Sequence, residues 1–229
     1  MAGGVAKWNF DERVVVVTDA SSSRGSDQVA AFAAAGAKVY ACGSLESVAA
    51  AVKGSVEAVA VDFSVESSVT TLAARISTGG AGLDVLVVND PATHDQSLVE
   101  MPDTAWQQLI AVSVTGGFLA AKHLAPLMFS RRYGKIVFTT GPESSVGLLG
   151  RAHVCASRHA IVGLAKDLAI DAATHQVNVN VAAAAREVDG GGNRSAIDAL
   201  THAVLWLASD ASRFITGSVL SADLQYGAS

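Results

Sequence analysis

The stretch RAHVCASRHA, residues 151–160, lies between a β-branched run and an Ala-rich helical pattern, where two side chains one turn apart could act on a substrate. Proton-transfer chemistry there needs an acid or base that titrates in a useful range and reaches the reacting atom. The two positions hold Val154 and Arg158. Valine has no proton to give, and a guanidinium stays charged and cannot shuttle one. His153 and Glu143, both in the connection between strand and helix, form a candidate acid/base pair, although nothing in their spacing forces them together. Asp90, after another strand, is a further acidic candidate, while strand alternation turns Thr140 away from the side on which residue 141 points. Tyr40, Tyr133 and Tyr226 fall on a strand, at a strand start and in the C-terminal tail, and none is placed to act.

A second stretch, TDASSSRGSDQ (18–28), follows a strand and opens a helix. Turns of this kind hold phosphate when glycines let the backbone approach and the helix N-terminus faces the charge. Here Asp19 would set a carboxylate against that anion, and Ser23 adds a side chain where backbone must come close. The simplest role for Asp19 is to cap the helix. The next strand ends ACGS (41–44) without the acidic residue that grips an adenosine ribose, and Arg24 and Lys38 are either surface charges or partners for a 2′-phosphate.

These segments sit in a regular alternation. Candidate strands are 13–18, 38–42, 56–62, 84–88, 135–140, 177–182 and 217–223, short and Val-rich as in a parallel sheet buried on both faces. Helical patterns between them include 26–36, 105–132, 156–169 and 196–210. The expected fold is α/β: a Rossmann-like, doubly wound parallel sheet of seven strands with helices on both faces, formed by residues 1–229 as one domain. Ligands in such a sheet bind beyond the carboxyl ends of the strands.

The 229 residues carry a net charge of −5, which argues against nucleic acid or an anionic membrane as partner. Cys42 and Cys155 have no metal-ligand spacing, so a reduced cytoplasmic setting and no metal are expected. The N-terminal residues lack a signal-peptide core, and no apolar run approaches the ~18 residues of a membrane span.

The turn, GKIVFTTG (134–141), ASRHAIVGLAKDLA (156–169) and LWLASDASRFITGSVLSAD together resemble the short-chain dehydrogenase/reductase family over nearly the whole chain. That resemblance implies a tyrosine acid/base, a lysine that lowers its pKa and holds the nicotinamide ribose, a serine that binds the substrate oxygen and a supporting asparagine. In this register those positions hold Val154, Arg158, Gly141 and Ser113. The family's Thr-Gly-x-x-x-Gly-x-Gly turn keeps Thr18 and Gly25. Asp62 matches its position near adenine, and Asn89 is what remains of an Asn-Asn-Ala-Gly element that here reads Val88, Asn89, Asp90, Pro91. Related halohydrin dehalogenases also replace the lysine by arginine but keep the tyrosine. The Pro-Gly before the family's helical lid is Ala184-Ala185, and REVDGGGNRS (186–195) is too short to form one.

Phosphate turn, catalytic positions and lid thus depart together, so no catalytic residue is expected, and Thr18, Gly25, Asp62 and Asn89 are vestiges of a cofactor site. Neither NAD nor NADP is expected to bind. The long helices 105–132 and 157–173 look fit for the family's subunit contacts. The resemblance then implies a catalytically inactive subunit in an oligomer, a tetramer with itself or with an active paralogue. Heteromeric family members of that kind include some that oxidise hydroxyacyl-CoA intermediates. Alternatives are an atypical lyase or isomerase using His153, Glu143 or Asp90, an NAD(P)-dependent oxidoreductase with an altered site, and a nucleotide sensor.

Overall fold

β1 (Val14–Val17), β2 (Lys38–Gly43), β3 (Val56–Ala60), β4 (Val85–Val88), β5 (Gly134–Thr140), β6 (Val177–Ala184) and β7 (Val219–Ala222) pair in parallel, in the order β3-β2-β1-β4-β5-β6-β7. The structure, a computed structural model, describes residues 7–44, 54–80, 82–91, 95–184 and 194–222. The connection 185–193, Tyr226 and the tail lie outside them, so the shortened lid does too.

Alternation along β1 explains its all-valine sequence. Val14 and Val16 point into one core layer, while Val15 and Val17 point into the other, and each strand side must therefore be apolar. The first layer is closed by α2 (Glu66–Thr78), through Leu72 and Ile76, and by α4 (Gly116–Leu124) and α6 (Ala152–Ala173), through Leu124, Ile161 and Ala165. The second layer is closed by α1 (Ser23–Ala34) and α7 (Arg194–Ala208), where Val29, Phe32, Leu200 and Val204 meet the sheet.

Between β4 and β5 the chain runs helically from Asp103 to Phe129. This run comprises α3 (Asp103–Leu109), a π segment (Ile110–Thr115), α4 and α5 (Pro126–Phe129). Contrary to the expectation from sequence, it is long and apolar enough to cross a membrane by length and composition. Leu119, Ala120, Ala121 and Leu124 are buried against the sheet, which accounts for that apolarity in a core helix.

Strand order reverses where β1 lies between β2 and β4. At that switch point the carboxyl ends of the strands splay apart and leave room for a ligand.

Candidate functional site

A cavity of about 550 Å³ occupies the switch point, bordered by Asp19, Ser44, Asp62, Asn89, Ser113 and Gly116. Its floor is the turn after β1. Asp19 takes a positive φ of 47°, a conformation that Asp tolerates better than most residues. Ser22, not Asp19, caps α1. Its hydroxyl accepts from the Gly25 amide at 3.1 Å and donates to the Asp19 carbonyl at 2.8 Å. A carboxylate on a residue that the turn holds left-handed is not at the N-cap position, and the serine three residues on takes that role. Gly25 has no room for a side chain, because a Cβ would collide with the Asp19 carbonyl oxygen and lie 2.7 Å from Ala20 Cα. Ser23 is exposed on the first turn of α1.

The other vestigial positions are held by bonds within the chain. Asn89 donates from Nδ2 to the Thr18 carbonyl and to Gln28 Oε1, both at 2.8 Å, and its Oδ1 accepts from Thr139 Oγ1 at 2.9 Å. The Asn89 amide donates to Thr18 Oγ1 at 2.9 Å, so this pair ties β1, β4, β5 and α1 together. Asp62 Oδ1 accepts from the Ser64 amide and hydroxyl, a local turn leading into α2. Lys38 is an exposed surface charge, whereas Arg24 is not. Arg24 is buried and donates to the Asp90 carbonyl at 3.3 Å. Lys38 is the first residue of β2, at the opposite end of the strand from the cavity, over the Tyr40 ring. Cys42 is a buried free thiol pushed up to about 12 by burial, and Cys155 is also free.

Beyond Ser113 the cleft is filled. Arg158, one turn after Val154 on α6, points its Nε at Asp90 Oδ2, 2.6 Å away, and its Nη1 pairs with Glu143 Oε2. Asp90 Oδ1 accepts from Ser113 Oγ at 2.6 Å, and the Asp90 amide donates to Thr139 Oγ1 at 3.3 Å. Arg151 Nε is 3.3 Å from Glu143 Oε1 and 2.9 Å from Asp95 Oδ1. Asp90, Glu143, Arg151 and Arg158 are all buried, Glu143 completely. Two arginines thus neutralise two interior carboxylates, and Asp95 extends the network to the surface. Gly141, at the end of β5, completes the packing: a Cβ there would strike Arg158 Nη1 and lie 2.7 Å from Glu143 Oε2. Its φ of −109° suits any residue, so the glycine answers a steric demand rather than a conformational one.

The structure therefore brings together Asp90, Ser113, Gly141, Glu143 and Arg158, all singled out from sequence, as one ion network. Val154 and His153 are buried on the first turns of α6. Tyr40 is buried on β2, and Tyr133 precedes β5 at the far end of the sheet. Arg151 and Thr139 were missed, and the contact of Arg24 with Asp90 was not foreseen. One signal could have found the network: Asp90 and Arg158 bring opposite charges to positions that the resemblance brings close together. Among the described residues no group of three or more His, Cys, Asp or Glu side chains could hold a metal ion.

The profile of the short chain dehydrogenases matches residues 13–186. The chain belongs to the short chain dehydrogenase family. It is 26% identical to the 3-oxoacyl-(acyl-carrier-protein) reductase FabG of Escherichia coli over 93% of this chain and 96% of that protein. It is 30% identical to the uncharacterized oxidoreductase YxjF of Bacillus subtilis over 74% of this chain and 68% of that one. A 3-oxoacyl-(acyl-carrier-protein) reductase of Synechocystis is 32% identical over 75% and 72%.

A nicotinamide dinucleotide, the cofactor that this family implies, fits these residues poorly. The Gly25 amide at the α1 N-terminus already donates to Ser22, Asp19 brings a carboxylate to the cavity lining, and Arg158, at the position of the family's lysine, is engaged by Asp90 and Glu143.

Proposed function

We propose that this chain is a non-catalytic short chain dehydrogenase that serves as a structural or regulatory subunit of an oligomer with an active paralogue in the cytoplasm. The observation that carries this reading is the buried Asp90–Arg158–Glu143 network with Gly141 packed against it. The space where a family acid/base would meet its substrate is taken by charges that neutralise one another, and none of them is a phenol. A carboxylate facing a pyrophosphate about 4 Å away costs on the order of 4 kcal/mol near a protein surface. Calorimetric titration is therefore expected to find no binding of NADH or NADPH tighter than about 1 mM. Sub-millimolar affinity for either would refute the cofactor part of the proposal.

The open 550 Å³ cavity and the relatives named as reductases favour a second reading, an oxidoreductase with an altered site. The same titration separates the two, because that enzyme must bind its cofactor.

Support for assembly comes from apolar side chains left outside the core. Trp106 and Phe118 on the Asp103–Phe129 run are 39% and 45% exposed, and Ile170 on α6 is 74% exposed. Leu164, within the 157–173 helix, packs against the chain's own core. Phe118→Glu is the better probe, since it sets a charge in a desolvated contact. Light scattering is expected to show wild type as an oligomer, alone or with the co-expressed paralogue, and Phe118→Glu as a smaller species. A wild-type chain that stays monomeric at tens of micromolar with and without the paralogue would remove the support for a subunit role.

A further inference from the structure

At the end of the sheet opposite the dinucleotide cleft, a second cavity of about 450 Å³ opens between the starts of β5 and β6, the end of α6 and the segment leading to β7. That size is within the range of small-molecule sites. Arg132, Lys135 and Arg213 line it, with Asp210 as the one carboxylate, a local reversal of sign in a chain of net charge −5. Asp210 is already engaged: Oδ1 accepts from the Tyr133 hydroxyl at 3.0 Å and Oδ2 lies 3.5 Å from Arg13. The carboxyl end of α6 reaches the same rim, and its partial charge of about −0.5 offsets only part of the excess.

Lys135 is the telling residue. It is 2% exposed, and its Nζ donates to Asn178 Oδ1 at 2.7 Å, a neutral acceptor. Asn178 is fixed in that pose because its Nδ2 donates to the Arg213 carbonyl at 3.1 Å. No other bond of the ammonium to a described residue is given by the structure. Burial lowers its pKa, Asp210 raises it, and Arg13 and Arg213 lower it again. A buried cation held by an amide, with guanidiniums nearby, is under-neutralised, and burying such a charge costs free energy unless a counter-ion offsets it. At the mouth, the Arg213 guanidinium sits 4.5 Å from the centre of the Phe214 ring, which is 83% exposed and offers an apolar platform beside the cations.

We propose that this cavity binds a small organic phosphate monoester, its phosphoryl group on Lys135 and the Arg132 and Arg213 guanidiniums, its organic part toward Phe214. Three cations against one engaged carboxylate match a dianion better than a monoanion, and guanidiniums suit phosphoryl oxygens. The site is remote from the dinucleotide cleft and does not depend on whether the chain is catalytic.

Titration calorimetry with phenyl phosphate, inorganic phosphate and benzoate tests it. Phenyl phosphate is expected to bind below about 1 mM, with inorganic phosphate and benzoate each at least about tenfold weaker. Lys135→Met should weaken phenyl phosphate by about tenfold or more, and the exposed Arg213→Gln, which spares the core, by several-fold. No saturable binding to wild type up to about 10 mM, or affinity unchanged in Arg213→Gln and in a folded Lys135→Met, would overturn the proposal. Benzoate binding as tightly as phenyl phosphate would overturn the assigned ligand class.

Discussion

An Arg158→Met variant is expected to lose about 3–5 kcal/mol of folding stability, with a fall in Tm on the order of 10 °C. The substitution keeps most of the side-chain volume and removes the one group that faces both Asp90 and Glu143. Glu143 keeps Arg151, whereas Asp90 keeps the Ser113 hydroxyl on its carboxylate and the Thr139 and Arg24 contacts on its backbone, so the loss falls on a carboxylate that is 3% exposed at its side chain. The charges themselves are not what favours folding. An apolar or neutral set of similar shape can do as well, and only the broken pair is costly. Asp90→Asn and Glu143→Gln added to Arg158→Met should therefore recover much of the loss. Urea unfolding of the single and triple variants measures both. A single variant within about 0.5 kcal/mol of wild type would mean that the network does not stabilise the fold.

The second large effect is a coupling. Gly141→Ser should cost about 1–3 kcal/mol, because the new Cβ enters the space of Arg158 Nη1. Arg158→Lys removes the planar fork and with it the obstruction, at the expense of one arm of the network. The double variant is expected to be more stable than the sum of the singles predicts, by roughly 0.5–3 kcal/mol. Glycine with arginine, and serine with lysine, are then two self-consistent sets. Additive costs would show that the two positions are independent. Adding Val154→Tyr to the double variant should give no turnover with NAD(P)H and a panel of carbonyls. The tyrosine enters a fully buried site, and Asp19 still lines the cavity that the phosphates need.

The sheet was legible because a strand buried on both faces has few ways to be written. Val14–Val17 reads as a strand whichever core layer each residue serves. Helix starts were less so. The stretch DASSS holds several side chains able to cap a helix, and residue type cannot choose among them; the left-handed backbone at Asp19 does, and it moves the cap to Ser22. Long-range ion pairs leave no local trace at all. Arg158 meets Glu143 across 15 residues and Asp90 across 68, so Glu143 looked like a loop acid and Arg24 like a surface charge. Spacing along the Ala/Leu-rich α6 pattern does not say which leucines face the sheet, and Leu164 and Leu168 prove to be partly buried against the core.

Anything that binds only the native state stabilises it by mass action, and the stability it confers rises and falls with its concentration. Asp90, Arg158 and Glu143 join the end of β4, the turn after β5 and the first turns of α6 with side chains that the chain itself supplies. That junction is intramolecular, so its strength has no concentration term. With no nicotinamide cofactor bound, as proposed above, the cleft end would hold its shape at a set level whatever the cell's nicotinamide pool is doing, which suits the proposed subunit role.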